Sequence, residues 1–125
     1  MASLGEIMTA KVFKTTRDAP VAETAKAMVK GRFGSALVMQ GDALLGIFTE
    51  RDVLRAAASG DNLTSSSVSK WMTSDPTTAE PDTDSEDAAQ LMLSNGFRHL
   101  PVTEGAAVVG IVSLRDVLSA RIRKR

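Results

Sequence analysis

Apolar positions along the chain switch between two periods, and the switches mark the elements. Val21, Ala25, Met28 and Val29 recur at the 3.6-residue spacing of an amphipathic helix, and so do Ala88, Ala89, Met92 and Leu93. Pro20 stands at the expected first helical position of the earlier helix, where a proline has no hydrogen bond to lose. Thr83-Asp84-Ser85-Glu86 reads as a capping box for the later one, with Thr83 as N-cap. Gly31 and Asn95 are expected to end these helices, since both residue types tolerate a left-handed cap. Two runs of strand formers follow each helix, over 35–39 and 44–48 and over 99–103 and 108–112. Gln40-Gly41-Asp42-Ala43 and Glu104-Gly105-Ala106-Ala107 join them as hairpin turns. A last helix begins at Thr49 or Ser113 and is expected to carry Val53 and Leu54, or Val117 and Leu118, inward, with Gly60 stopping the first. Ahead of each block lie an extended stretch, 12–16 or 77–80, and a short lead-in, 4–8 or 68–72, at near-helical spacing.

The two sets of elements are copies of one another. A shift of 64 positions aligns residues 3–56 with 67–120 without a gap, and 17 of the 54 pairs are identical. The densest matches are Gly46-Ile47 with Gly110-Ile111 and Arg51-Asp52-Val53-Leu54 with Arg115-Asp116-Val117-Leu118. The chain is therefore a tandem repeat: residues 1–60 form the first copy, 61–67 a polar linker, and 68–125 the second. The fold class is α+β, two β-α-β-β-α units. Each unit alone leaves an apolar sheet face uncovered, so the two are expected to pack sheet to sheet.

Composition narrows the function classes. Fifteen basic and fifteen acidic residues cancel to zero net charge, which argues against a whole-domain nucleic-acid footprint. A hydrophobic fraction of 43% supports a core, and an aromatic fraction of 4% makes that core aliphatic. With no cysteine there is no disulfide frame, thiolate zinc site or cysteine nucleophile. No apolar run approaches the ~20 residues of a membrane span, and no signal peptide opens the chain. A cytoplasmic protein is expected.

The candidate chemistry appears twice, as Gly46-Ile47-Phe48-Thr49-Glu50-Arg51-Asp52 and Gly110-Ile111-Val112-Ser113-Leu114-Arg115-Asp116. In each, a strand ends, a hydroxyl opens a helix, and the third helical residue is an aspartate. Thr49 and Ser113 are good N-caps, and Asp52 and Asp116 complement the helix dipole. The same groups also suit an anion, because free N–H groups and the positive helix end attract one. Arg51 and Arg115 favour the second reading, since a cation at the second helical position opposes the dipole unless an anion is there to meet it. Both readings stand together, because capping and binding are compatible.

Elsewhere the residues point to packing or solvation. His99, the only histidine, has no carboxylate partners at ligand spacing, so no metal site is expected. No nucleophile elbow, phosphate loop or dinucleotide fingerprint occurs, and Asp82, Asp84, Glu86 and Asp87 sit where solvated acids open a helix. The chain is not expected to be an enzyme. The cluster Arg121-Ile122-Arg123-Lys124-Arg125 suits a helix C-terminus, and a nucleic-acid role for it is disfavoured. Trp71 and the methionines occupy core-like positions.

Two tandem β-α-β-β-α units, each with an Ile- or Trp-Met-Thr lead-in and a G-h-h-T/S-x-R-D-h-L ending (h, apolar), resemble a pair of cystathionine-β-synthase-type (CBS) domains, a Bateman module. The resemblance covers nearly the whole chain. It implies two repeats packed through their sheets about a pseudo-two-fold axis, with two clefts for adenosine ligands: AMP, ADP, ATP or S-adenosylmethionine. It further implies a homodimer and no obligatory cofactor. One cleft would use Lys11, Phe13, Thr15 and Phe33 toward adenine, with Arg98, Ser113, Arg115 and Asp116. The other would use Asp75, Thr77, Ala79 and Phe97 with Thr49, Arg51 and Asp52. Asp52 and Asp116 are the implied ribose ligands, and Thr49 and Ser113 lie beside the phosphate. Gly34 stands where the second copy has Arg98, and Asp75 adds a negative charge, so the second cleft lacks one phosphate partner. The expected function is a regulatory adenosine-nucleotide module that signals to an effector protein in trans, the chain carrying no effector domain of its own. The alternative is a constitutive dimerisation scaffold whose clefts are empty or vestigial.

Overall fold

The computed structural model describes residues 2–123. The chain forms two compact units that do not coincide with the two sequence copies: Val12–Pro76 makes one, and Met1–Lys11 with Thr77–Arg125 makes the other. Each unit takes its short lead-in from the opposite copy.

In the Val12–Pro76 unit the order is β1 (Lys14–Thr15), α2 (Val21–Gly31), β2 (Ser35–Gln40), β3 (Ala43–Thr49), α3 (Glu50–Ser59), α4 (Val68–Trp71) and β4 (Thr73–Ser74), α1 (Leu4–Ile7) belonging to the other unit. The sheet order is β1-β2-β3-β4, with β1 parallel to β2 and the other pairs antiparallel. Ala36 pairs with Phe48 and Ile47 with Thr73, so β4 of the second lead-in closes one edge. Val21, Met28, Ala36, Val38, Phe48, Ala56 and Val68 form the buried core. Val68, wholly buried, is the second copy's contribution to it.

The linker is docked. Ser66 and Leu63 carbonyls accept from Val21 and Ala22 N–H at 2.9 Å each, satisfying two of the donors that a helix start leaves without partners. The lead-in after it is anchored by Val68 N–H to Ala19 O at 2.9 Å and Ser69 N–H to Arg17 O at 3.0 Å.

The other unit repeats the plan with α1, α5 (Ser85–Asn95), β5 (His99–Glu104), β6 (Ala107–Ser113) and α6 (Leu114–Arg123). β5 and β6 form an antiparallel hairpin, flanked by single bridges from Ala79 to Val102 and from Thr9 to Ile111. Leu4, completely buried, packs with Ala88, Met92, Leu100, Val102, Val112 and Val117. Its segment is held by Leu4 N–H to Thr83 O and Gly5 N–H to Pro81 O, at 2.9 and 2.8 Å.

Gly46 and Gly110 explain one of the repeated dipeptides. A Cβ on Gly46 would lie 2.7 Å from Met72 Sδ and 2.8 Å from Thr73 O; on Gly110 it would lie 2.6 Å from Met8 Sδ and 3.0 Å from Thr9 O. Each glycine therefore clears the path along which the opposite copy's lead-in runs.

Several boundaries move from their sequence expectations. The N-cap of α5 is Asp84, not Thr83, and its carboxylate accepts from Glu86 N–H at 2.9 Å. Thr83 spends its carbonyl on Leu4 N–H instead. Pro20 is the N-cap of α2 rather than its first residue. Gly31 and Asn95 are the last helical residues, and the left-handed caps are Arg32 (φ 60°) and Gly96 (φ 74°). The extended stretches shrink to β1 and the bridge at Ala79, because only there does a neighbouring strand pair with them. Leu54 and Leu118 are 70% and 53% exposed, and Val29 and Leu93, also expected inward, are 80% and 65% exposed. Val117 and Ala56 take the inward places on the last helices. Trp71 is only half-buried.

Two outcomes test the exchanged lead-ins. Leu4→Ala should destabilise the chain by ~2–5 kcal/mol in urea unfolding, the usual cost of a buried leucine, though Leu4 lies outside the copy whose core it fills. Half-molecules cut at Asn62 each lose the lead-in their core needs, so neither should give a cooperative monomeric melt.

Candidate functional site

In the Val12–Pro76 unit, β3 delivers Thr49 to the start of α3 in an extended conformation, the geometry an N-cap requires. Asp52, three residues on, closes a capping box: Thr49 N–H donates to Asp52 Oδ2 at 2.9 Å, and the Thr49 hydroxyl lies 3.3 Å from the same oxygen. The other oxygen, Oδ1, accepts from Arg55 Nη1 at 2.9 Å. Asp52 is 5% exposed, so a charged carboxylate is buried with three donors around it. Glu50 N–H donates to Gly34 O at 3.1 Å, tying the helix start to the loop that follows Phe33. Phe33 stacks on Phe13 with centroids 5.5 Å apart and planes 16° from parallel, within the range for a favourable offset pair. Phe13 is fixed in turn by its carbonyl, which accepts Leu37 N–H at 2.8 Å. Of the other residues expected here, Thr15 lies half-buried on β1, and Asp75 is exposed in a left-handed turn (φ 49°) with its N–H on Leu45 O.

The second unit builds the same helix start with a different economy. Ser113 N–H donates to Asp116 Oδ2 at 2.8 Å, and Asp116 N–H donates back to Ser113 Oγ at 3.0 Å. Asp116 Oδ1 has no partner among the described residues. Leu114 N–H bonds the carbonyl of Arg98 at 2.9 Å, which places Arg98 beside the start of α6. Phe97, half-buried, rests against this unit's core, and Ala79 is held by hydrogen bonds to Pro101 and Thr103. Thr77 is exposed, as is Lys11, which belongs to this unit rather than to the one holding Phe13.

Charge follows the same division. Arg51, Arg98 and Arg115 are exposed and form no ion pair among the described residues, whereas Arg55 is paired. Arg115 thus lies on the first turn of α6 and Arg98 is tied to that start by its carbonyl, while Arg51 lies on the first turn of α3 and Gly34 stands in the place of Arg98. An anion at either start would gain from the helix dipole and from the arginine that otherwise opposes it.

Arg55 escaped the reading of the sequence because it is absent from the second copy, where Ser119 takes its place. It also sits 5.6 Å from the centroid of Trp71, as does Lys70 Nζ. Trp71 Nε1–H donates to Ser66 Oγ at 3.1 Å, and Lys70 pairs with Asp61. At the chain's basic end, Arg121 lies 3.5 Å from Glu86 on α5, while Lys124 and Arg125 lie outside the described residues. Among the described residues no group of three or more His, Cys, Asp or Glu is placed to hold a metal, and no helix is long and apolar enough to cross a membrane.

Comparison with known proteins agrees with this fold. The chain is 40% identical over 119 residues to an uncharacterized 17.7 kDa protein of Acidianus ambivalens, covering 94% of this chain and 71% of that one. A protein with CBS domains from Burkholderia ambifaria has the same fold, with a TM-score of 0.93 at 27% identity over 99% of this chain and 96% of that one. The CBS domain pair of protein MJ0100, solved in complex with 5′-methylthioadenosine and S-adenosyl-L-methionine, shares the fold at 22% identity, with a TM-score of 0.91 over 100% of this chain and 99% of that one. The CBS domain pattern matches residues 4–59 and again 68–123, the two copies that carry the paired helix starts, and the chain belongs to the CBS domain family as a tandem pair.

Proposed function

We propose that this CBS pair is a regulatory module, not an enzyme, that binds an adenosine ligand (AMP, ADP, ATP or S-adenosylmethionine) and passes the signal to a partner protein in the cytoplasm. The observation that carries the reading is the duplicated helix start with an arginine on the second helical residue and an aspartate on the third. Arginine there is unfavourable to the helix dipole until a phosphate arrives, and the aspartate suits a ribose diol. Arg115, Arg98 and Ser113 would meet phosphate, with Asp116 on the ribose; Thr49, Arg51 and Asp52 would play the same parts at α3. The Phe13–Phe33 stack offers an aromatic surface to adenine, beside Thr15 and with Lys11, while Phe97, Thr77, Ala79 and Asp75 are the matching set for the second ligand. The adenosine compounds bound by the MJ0100 pair support this class of ligand. Signalling requires that the ligand favour one of two states of the module or its assembly.

A constitutive dimerisation scaffold is the second reading. Val29, Leu54, Leu93, Leu118 and Ile122 are all more than half exposed, on α2, α3, α5 and α6, and such apolar helix faces suit a second copy of the chain. Both readings include a homodimer.

Ligand binding should raise the melting temperature in the presence of AMP, ATP or S-adenosylmethionine, since a ligand at 100 times its Kd adds about 2.7 kcal/mol to the folded state. Asp116→Ala should weaken AMP by ~10-fold, ~1.4 kcal/mol, and Asp116→Asn by less. No stabilisation by any of the three at millimolar concentration would leave the scaffold reading alone. In either case light scattering should give about 26 kDa, twice the 13.2 kDa chain; a mass near 13 kDa at high concentration would exclude the dimer.

A further inference from the structure

The two aspartates are equivalent in sequence but not in what they have left to offer. A carboxylate has about four acceptor positions, two on each oxygen. Asp52 spends both positions of Oδ2 on the N–H and hydroxyl of Thr49 and one of Oδ1 on Arg55. Asp116 spends one position of Oδ2 on Ser113 N–H; the Ser113 hydroxyl accepts from Asp116 N–H, and among the described residues it makes no hydrogen bond to the carboxylate. A vicinal diol needs two acceptor positions at once. Counting the described residues, Asp116 has three open and Asp52 one.

The group responsible is fixed on two sides. Arg55 is one helical turn beyond Asp52 on α3, at the i,i+3 spacing that brings side chains together. Its guanidinium also lies over Trp71, on the second copy's lead-in, and that ring is tied to Ser66 of the linker. The second copy has neither part of the device: Ser119 replaces Arg55 and Ile7 replaces Trp71.

We propose that Arg55 is a specificity-determining residue that competes with the ligand's ribose for Asp52, so that the two helix starts of this chain bind adenosine ligands unequally and in a fixed order, Asp116 first. The inference rests on the adenosine-ligand reading above and adds the residue that sets the order. It differs from a mere shortage of phosphate partners at α3, because it acts on the ribose hydroxyls and not on the phosphate.

The test is calorimetric titration of the full chain with AMP and with 2′-deoxy-AMP, which lacks one hydroxyl of the diol. Wild type should show a tighter and a weaker event. Arg55→Ser, which installs the second copy's residue, should tighten the weaker event about fivefold, ~1 kcal/mol, and leave the tighter one within twofold. The gain should vanish with 2′-deoxy-AMP and in the double variant Arg55→Ser with Asp52→Asn. The converse variant, Ser119→Arg, should weaken the tighter event by a similar factor. If AMP binds wild type and both Arg55→Ser and Ser119→Arg leave its affinities unchanged, or if the gain persists with 2′-deoxy-AMP, the role of Arg55 is overturned while the ligand reading stands. If wild type binds no AMP at millimolar concentration and no other adenosine ligand stabilises it, both fall together.

Discussion

Everything in this chain hangs on the exchange of two short segments. Leu4 is buried in a core otherwise built by the second copy, and Val68 in one otherwise built by the first. Burying such a side chain is worth ~1.5–3 kcal/mol, and the backbone that carries it also closes a sheet edge, through β4 against β3 and through Thr9 against Ile111. Gly46 and Gly110 are small so that these segments can pass. One constraint therefore accounts for the lead-ins, the glycines and the docked linker, and it leaves the ends of β3 and β6 free to present Thr49 and Ser113.

Those two hydroxyl positions show how a structural requirement and a binding requirement share the same atoms. A cap satisfies helix N–H groups that would otherwise lack partners, and it fixes the aspartate by the same hydrogen bonds. What remains available for anything else is decided by small differences: whether the cap hydroxyl also bonds the carboxylate, and whether a cation lies one turn further along the helix. Near-identical motifs can thus differ in capacity without differing in fold.

The repeat, its helices and its hairpins were legible because periodicity and identity across the two copies report them directly. The helix boundaries were less so. Thr83 and Asp84 are both competent N-caps, and the choice fell to Asp84 because the incoming Leu4 segment claims the Thr83 carbonyl. Leu54 and Leu118 sit beside Val53 and Val117, and over a ten-residue helix the apolar pattern does not say which of two neighbours faces in. The partner of each lead-in was illegible, since the spacing in Leu4–Ile7 names a helix but not the core that receives it. Arg55 was missed for a different reason: a search for what two copies have in common passes over the residue by which they differ.

The exchange also says something about what a lone repeat could do. A single copy of this sequence type carries a lead-in that fills a core of its own kind, and the partner able to supply the reciprocal segment is another copy. Joined in one chain, the two meet at the millimolar effective concentration of a short tether rather than at the concentration of free protein. The seven residues from Asp61 to Ser67 thus convert an encounter that would depend on dilution into one that does not.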